Sequence, residues 1–302
     1  MIAGIRRRSA PIPIVVALLL LGNPLTAWAQ SGDAAQASRQ SQPPQQIAAR
    51  SFVFSNAANN LLVQTEPHVT FVVGVQDPSL VAEARAWLAA RRAPAVRFVL
   101  AAAGDSAAYD GDGGWGASGA TVLAHEALRG HMMGTRHANA IPALGFSEVV
   151  QMSLGDDEAH AVHQKTAGYG ASDVTVHLEG ADVLYLGNLF TTDGYPDIDL
   201  ASGGSIAGLI TTVTWFVTNF GDNAKIHYVP GRGATAGAGA LRDYRDMLVS
   251  IRDRVQTMVA AGKSDGEIVA AHPAGAFDAK WGRGRVSSDR FVTLVAQSLR
   301  RH

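Results

Sequence analysis

The sequence predicts an α/β fold in which two sheets are covered by outer helices. Three features carry that reading. A capped helix joins two short apolar strands between residues 69 and 100. A second strand-rich half runs from residue 149 to 229. Each half is followed by helix with one apolar face.

The first half opens with three short strands, at residues 52–54, 61–64 and 69–73, punctuated by Asn-rich residues 56–60 and by Thr65-Glu66-Pro67. Asp77-Pro78 supplies an N-cap with proline at the first helical position. The helix runs to about Arg92, burying Leu80, Ala84, Trp87 and Leu88, and Pro94 ends it. The strand at 96–100 completes a right-handed crossover unit. It feeds a loop of Gly, Ala and Asp that offers Asp105, Asp110, Asp112 and Ser106, but no His and no Cys. Such a loop, at the C-terminal end of a buried strand, is where α/β proteins place chemistry.

A strand at 120–124 and a helix at 126–133 follow, with 136–146 irregular. Strands are expected at 149–153, 159–163, 173–178 and 182–186, the last two joined by a tight hairpin at Glu179-Gly180. Residues 187–205, GNLFTTDGYPDIDLASGGS, read as a long loop, with Ser202 to Ser205 as the turn and cap into the next helix. That helix carries Ile206, Leu209, Ile210, Val213, Val217 and Phe220 on one face. A strand at 225–229 and a turn at Pro230-Gly231-Arg232-Gly233 lead into the helical remainder. Leu241, Tyr244, Leu248, Ile251, Val255 and Met258 line its long helix, which Gly262 caps. Ser264 and Glu267 form a capping box, and Ser288 is expected to cap the last helix.

The 302 residues are 47% hydrophobic, 17% charged and carry a formal net charge of −1, so nothing in the charge calls for nucleic acid. The absence of cysteine excludes disulfides, thiolate nucleophiles, Cys-ligated zinc and a lipoprotein anchor. Arg6-Arg7-Arg8, an apolar run at 12–21 and Ala27-Trp28-Ala29 read as a signal peptide over residues 1–29, making Gln30 the first mature residue. The run is shorter than the ~20 residues of a spanning helix, so the expectation is a periplasmic or secreted protein with no membrane attachment after cleavage. The arginines lack the apolar pair of a twin-arginine signal, and the export route stays open. Residues 30–50 are rich in Gln, Ser, Ala and Pro and read as a linker, so the folded domain is expected over 51–302, with a helical tail at 238–302.

Three segments together resemble the metallo-β-lactamase fold family: VRFVL…DGDGGWGASGATVLAHE (96–126), DVLYLGNLF…YPDIDLASGGS (182–205) and KIHYVPGRG (225–233). The tail RDYRDMLVSIRDRV (242–255) with FDAKWG (277–282) looks like the helical extension of an exported branch. The resemblance implies a four-layer αβ/βα sandwich with its site at one edge of the two sheets. It also implies two zinc ions, which supply hydroxide near neutral pH and polarise the scissile bond.

Carried over position by position, the metal loop falls on Ser106, Ala108, Asp110 and Gly111, and only the aspartate matches. The next His position, placed by the matching Asp173, falls on Tyr169. The bridging Asp becomes Asn188, and the last His becomes Arg232. A guanidinium stands where a dication should sit, and an Arg232–Asp110 salt bridge is expected to replace the metal there. The resemblance, with these replacements, implies a non-hydrolytic pseudoenzyme without zinc that binds a small molecule or a protein partner through the old cleft. The alternative is an active hydrolase of an ester, a lactam or a similar small substrate. It would use a carboxylate metal site at Asp105, Asp110 and Asp112, or metal-free acid–base chemistry with Asp110, Tyr169 and Arg232. A structural role beside a catalytic paralogue is the third reading.

Other histidines read as structural. His125 and His131 are six apart and share no helix face, unlike a zincin pair. His160 and His163, three apart on a strand, point to opposite sides.

Overall fold

The structure is a computed structural model that describes residues 43–74, 77–102, 115–133 and 141–301. The expected signal peptide and the loop positions Asp105, Ser106, Asp110 and Asp112 lie outside these residues.

The first sheet has seven strands in the order of the chain: β1 Gln45–Ala48, β2 Ser51–Ser55, β3 Asn60–Glu66, β4 Val69–Gly74, β5 Val96–Ala101, β6 Thr121–His125 and β7 Leu144–Phe146. β1 to β4 form an antiparallel meander, and β4 to β7 run parallel. Helix α1, Pro78–Ala90, makes the β4–β5 crossover, and the Asp77 carboxylate accepts from the Ser79 and Leu80 amides at its start. Helix α2, Glu126–Met133, follows β6.

The second sheet has five strands: β8 Val149–Ser153, β9 Glu158–His163, β10 Val174–Leu178, β11 Val183–Thr191 and β12 His227–Arg232. They are antiparallel except for β11 and β12, which run parallel across helix α3, Ile206–Phe220. Helices α4 (Ala238–Ala260), α5 (Asp265–Ala270), α6 (Asp278–Trp281) and α7 (Ser288–Arg300) complete the chain.

Three apolar clusters set the layers. Phe71, Leu100, Val176, Tyr185 and Val229 pack between the sheets. Leu61, Val72, Leu80, Leu88 and Val99 join the first sheet to α1. Leu184, Phe190, Leu209, Tyr244, Ile251 and Phe291 join the second sheet to its helices. Strand alternation divides the side chains between these layers: along β10, Val174, Val176 and Leu178 face the inter-sheet core. The result is the expected four-layer αβ/βα sandwich with a helical C-terminal part.

Several boundaries differ from expectation. Residues 45–48, inside the expected linker, pair with β2 as β1, because the polar segment needs only backbone hydrogen bonds to extend a sheet edge. Residues 144–146, expected to be irregular, pair with β6 as β7. The β10–β11 hairpin spans four residues, Glu179 to Asp182. The Gly180 amide is held by Asp157 Oδ1 at 2.7 Å, and Asp182 turns the chain at φ 55. β11 runs on through GNLFT, expected as loop, because Gly187 adopts φ +54 and kinks the strand without ending its pairing with β12. β12 likewise runs through Pro230 to Arg232 instead of turning there. The last helix is capped by Ser287, whose hydroxyl accepts from the Arg290 amide, and Ser288 is its first helical residue.

Candidate functional site

The parallel pair β11–β12 positions two of the carried-over residues. Gly187 pairs with Pro230 and Thr191 with Arg232. A Cβ on Gly231 would lie 2.7 Å from the Gly187 carbonyl carbon and 2.8 Å from Asn188 Oδ1, so only glycine lets these backbones meet. Asn188 therefore lies directly over the start of the Gly-Arg-Gly segment. The buried Asn60, first residue of β3, donates from Nδ2 to the carbonyls of Pro230 (2.9 Å) and Gly233 (2.8 Å). One side chain of the first sheet thus ties down the end of β12.

Arg232 finds its partner just beyond the end of the neighbouring strand β11. Its Nε donates to both oxygens of Asp193, at 3.0 Å each, and the Thr191 hydroxyl donates to Asp193 Oδ1 at 2.5 Å. The Arg232 side chain is 12% exposed and that of Asp193 35%. The expected Arg232–Asp110 bridge concerns a residue outside the described part; among the described residues the carboxylate paired with Arg232 is Asp193.

Tyr169 sits in the loop between β9 and β10. Asp173 organises this loop: its carboxyl oxygens accept from the amides of Gly168 (2.9 Å), Tyr169 (2.8 Å) and Gly170 (3.2 Å). Burial pushes the Asp173 carboxyl up to about 7, against the pull of those amide bonds. The Tyr169 carbonyl accepts from the Asp199 amide at 2.8 Å. A Cβ on Gly204 would lie 2.0 Å from that same carbonyl oxygen. The segment around Asp199 is architectural: its Oδ1 accepts from the Ala201 and Ser202 amides, and Ser205 caps α3 by accepting from the Gly208 amide. Gly168 packs against Leu189, next to Asn188. The β11 segment that carries Asn188 thus touches both the Tyr169 loop, through Gly168 and Leu189, and the β12 segment of Arg232, through Gly231. Ser106, Asp105, Asp110 and Asp112 are not among the described residues.

Two features were not legible in the sequence. The hydroxyls of Tyr185 and Tyr244 are buried and make no hydrogen bond among the described residues; burial pushes both above the usual phenol range. The Tyr185 ring lies beside Gly187, where an added Cβ would meet it at 3.2 Å. Second, His125 at the end of β6 stacks on His163 at the end of β9, with centroids 3.6 Å apart and planes 10° from parallel. His125 Nε2 lies 3.1 Å from the Ser147 carbonyl, and Nδ1 accepts from the Ala127 amide, so this ring is a structural link between the sheets. Burial and the neighbouring His163 lower its pKa.

No family model and no curated protein matches the chain at the level of sequence. Solved structures do match it. A metallo-β-lactamase from Pontibacter korlensis is 14% identical, with a TM-score of 0.57 over 70% of this chain and 99% of its own. The DIM-1 metallo-β-lactamase is 10% identical, with a TM-score of 0.58 over 70% of this chain and 99% of its own. TMB-1 is 14% identical, with a TM-score of 0.55 over 68% of this chain and 96% of its own. On these likenesses, and on the layer order described above, the chain has the metallo-β-lactamase fold.

Proposed function

We propose that this is an exported protein that keeps the metallo-β-lactamase fold but has lost the dizinc ligands, and that it binds a small ligand through the former active-site cleft without hydrolysing it. The observation that carries this is the Arg232–Asp193 pair. Arg232 occupies the position where the resembled family places its last zinc-binding histidine. Its guanidinium is mostly buried and engaged by a carboxylate on two bonds. A dication a few ångströms from a shielded guanidinium is repelled, and Asp193 is already spent on neutralising that charge.

The rest of the donor set points the same way. Asn188 offers a neutral amide oxygen, Tyr169 a phenol, and Arg232 no acceptor at all. Zinc in such sites takes imidazole, thiolate or carboxylate. The residues at this edge do not fit a dizinc centre. What they do suit is recognition: a neutralised guanidinium–carboxylate pair, an amide and a phenol are groups that hold a small polar ligand by hydrogen bonds rather than ligate a metal.

The test is hydrolysis. The full mature chain is assayed against a panel of lactams, esters and thioesters, with and without added Zn²⁺. The expected result is no turnover above the uncatalysed rate in either condition. Turnover that disappears in Asp110→Ala would overturn the proposal in favour of an active hydrolase working through Asp110, Tyr169 and Arg232.

A further inference from the structure

The outer face of the second sheet, on the side opposite the inter-sheet core, carries a separate constellation. Glu158 and His160 stand two apart on β9 and so share a face. Glu179 joins them from the β10–β11 hairpin. One ligand atom from each of the three lies within 4.8 Å of the others.

The imidazole stands between the two carboxylates, equally far from each. His160 Nε2 is 3.4 Å from Glu158 Oε2 and 3.4 Å from Glu179 Oε2. That nitrogen is buried and makes no hydrogen bond to either carboxylate. A hydrogen-bonded pair closes to about 2.7–2.9 Å. Donor atoms around a tetrahedral zinc, at bond lengths of about 2.0–2.2 Å, stand about 3.3–3.6 Å apart. Both measured separations fall in that range. The Gln151 amide donates to Glu158 Oε2 at 2.5 Å, which is how an outer partner orients a ligating carboxylate.

We propose that Glu158, His160 and Glu179 form a mononuclear site for a divalent transition metal of the zinc class. One imidazole and two carboxylates suit zinc and its first-row neighbours, and the imidazole disfavours calcium or magnesium. Three protein ligands leave a coordination position for water or a ligand group. His160 and Glu179 also line a groove of about 540 Å³ between β9, β10 and α3, where His177, Lys165, Trp215 and Phe220 complete the wall. His177 is the direct cross-strand partner of His160. The groove gives a ligand bound to the metal an aromatic wall to rest on.

The experiment uses the full mature chain without an affinity tag. Zn²⁺ is titrated calorimetrically, and Co²⁺ is followed by its visible absorption, which reports tetrahedral coordination. The expected result is one equivalent bound, with affinity reduced at least tenfold in His160→Ala and in Glu179→Gln. Glu179 is exposed, so its variant keeps the test valid if His160→Ala fails to fold. Absence of metal binding, or binding unchanged in both variants, overturns the proposal. Binding that is lost instead in Asn188→Ala places the metal in the cleft, and overturns both this proposal and the preceding one.

Discussion

Two regions of one sheet make opposite choices about charge. Where β11 and β12 end, the largely buried Arg232 guanidinium is matched to the Asp193 carboxylate, and the side chains of Asn188 and Tyr169 are neutral. On the outer face of β9, two carboxylates converge on a single imidazole and no guanidinium or ammonium is paired with that imidazole among the described residues. The same strand geometry supports both, since alternate residues face opposite layers. The difference teaches that a fold positions side chains without deciding their chemistry, and that a cation can be built in at one place and invited at another.

The largest expected effect breaks the first of these regions alone. Gly204→Ala forces a methyl group into the Tyr169 carbonyl and the Asp199 carbonyl, at 2.0 and 2.9 Å. Neither atom is a flexible side chain, so a loss of roughly 4 kcal/mol or more is expected, read as a steep fall in melting temperature or as insoluble protein. Wild-type stability in that variant would mean that the Tyr169 loop is not clamped as described.

Asp173 gives the next effect. An unfolded Asp carboxyl titrates near 3.8, and burial in the folded chain pushes Asp173 up to about 7. Between these the folded chain holds the extra proton, so this group stabilises below pH 4 and its contribution is lost as pH rises through 7. The change amounts to on the order of 4 kcal/mol. Urea unfolding across pH 4 to 7 should show a downward slope that Asp173→Asn flattens. Parallel curves for the two proteins would refute it.

Arg232→Ala should cost about 2–3 kcal/mol by leaving Asp193 partly buried without its partner. Adding Asp193→Ala should return part of that loss, and the coupling in the double-mutant cycle measures the pair. Additive single losses would mean that the two side chains do not interact in solution. The smallest effect sharpens the contrast: Glu179→Gln without metal should change stability by less than about 0.5 kcal/mol, because the side chain is exposed. With Zn²⁺ at a hundredfold excess over its dissociation constant, the wild type should gain about 2.7 kcal/mol that the variant lacks. Equal gains would remove Glu179 from the site.

Much of the fold was legible because it rests on local patterns. The Asp77-Pro78 start of α1, the capping box of Ser264 and Glu267, and the period of α4 each involve neighbours in sequence. Motif order picked out Tyr169, Asn188 and Arg232 as candidates, and the structure places Asn188 and Arg232 on the paired strands β11 and β12. Errors fell where pairing rather than pattern decides: β1 looks like linker until β2 offers it an edge, and GNLFT looks like loop until β12 runs beside it. His160 illustrates the same point. Its orientation away from His163 was readable from spacing, but its convergence with Glu179 depends on the β9–β10 register and on a four-residue hairpin.

What the sequence by itself determined is most of the elements and the chemical types available at each: apolar periods that make strands and helices, and an arginine, an asparagine and a tyrosine at the positions to which the family resemblance carries its zinc ligands. Only the tertiary structure decided which of those groups meet. Arg232 could have paired with any of several aspartates, and it meets Asp193 because the parallel register sets Thr191 opposite Arg232. Glu158, His160 and Glu179 meet because two antiparallel ladders carry them to one end of one face. Contacts between residues distant in sequence are set by register and layer packing, and these are satisfied only when the whole sandwich closes.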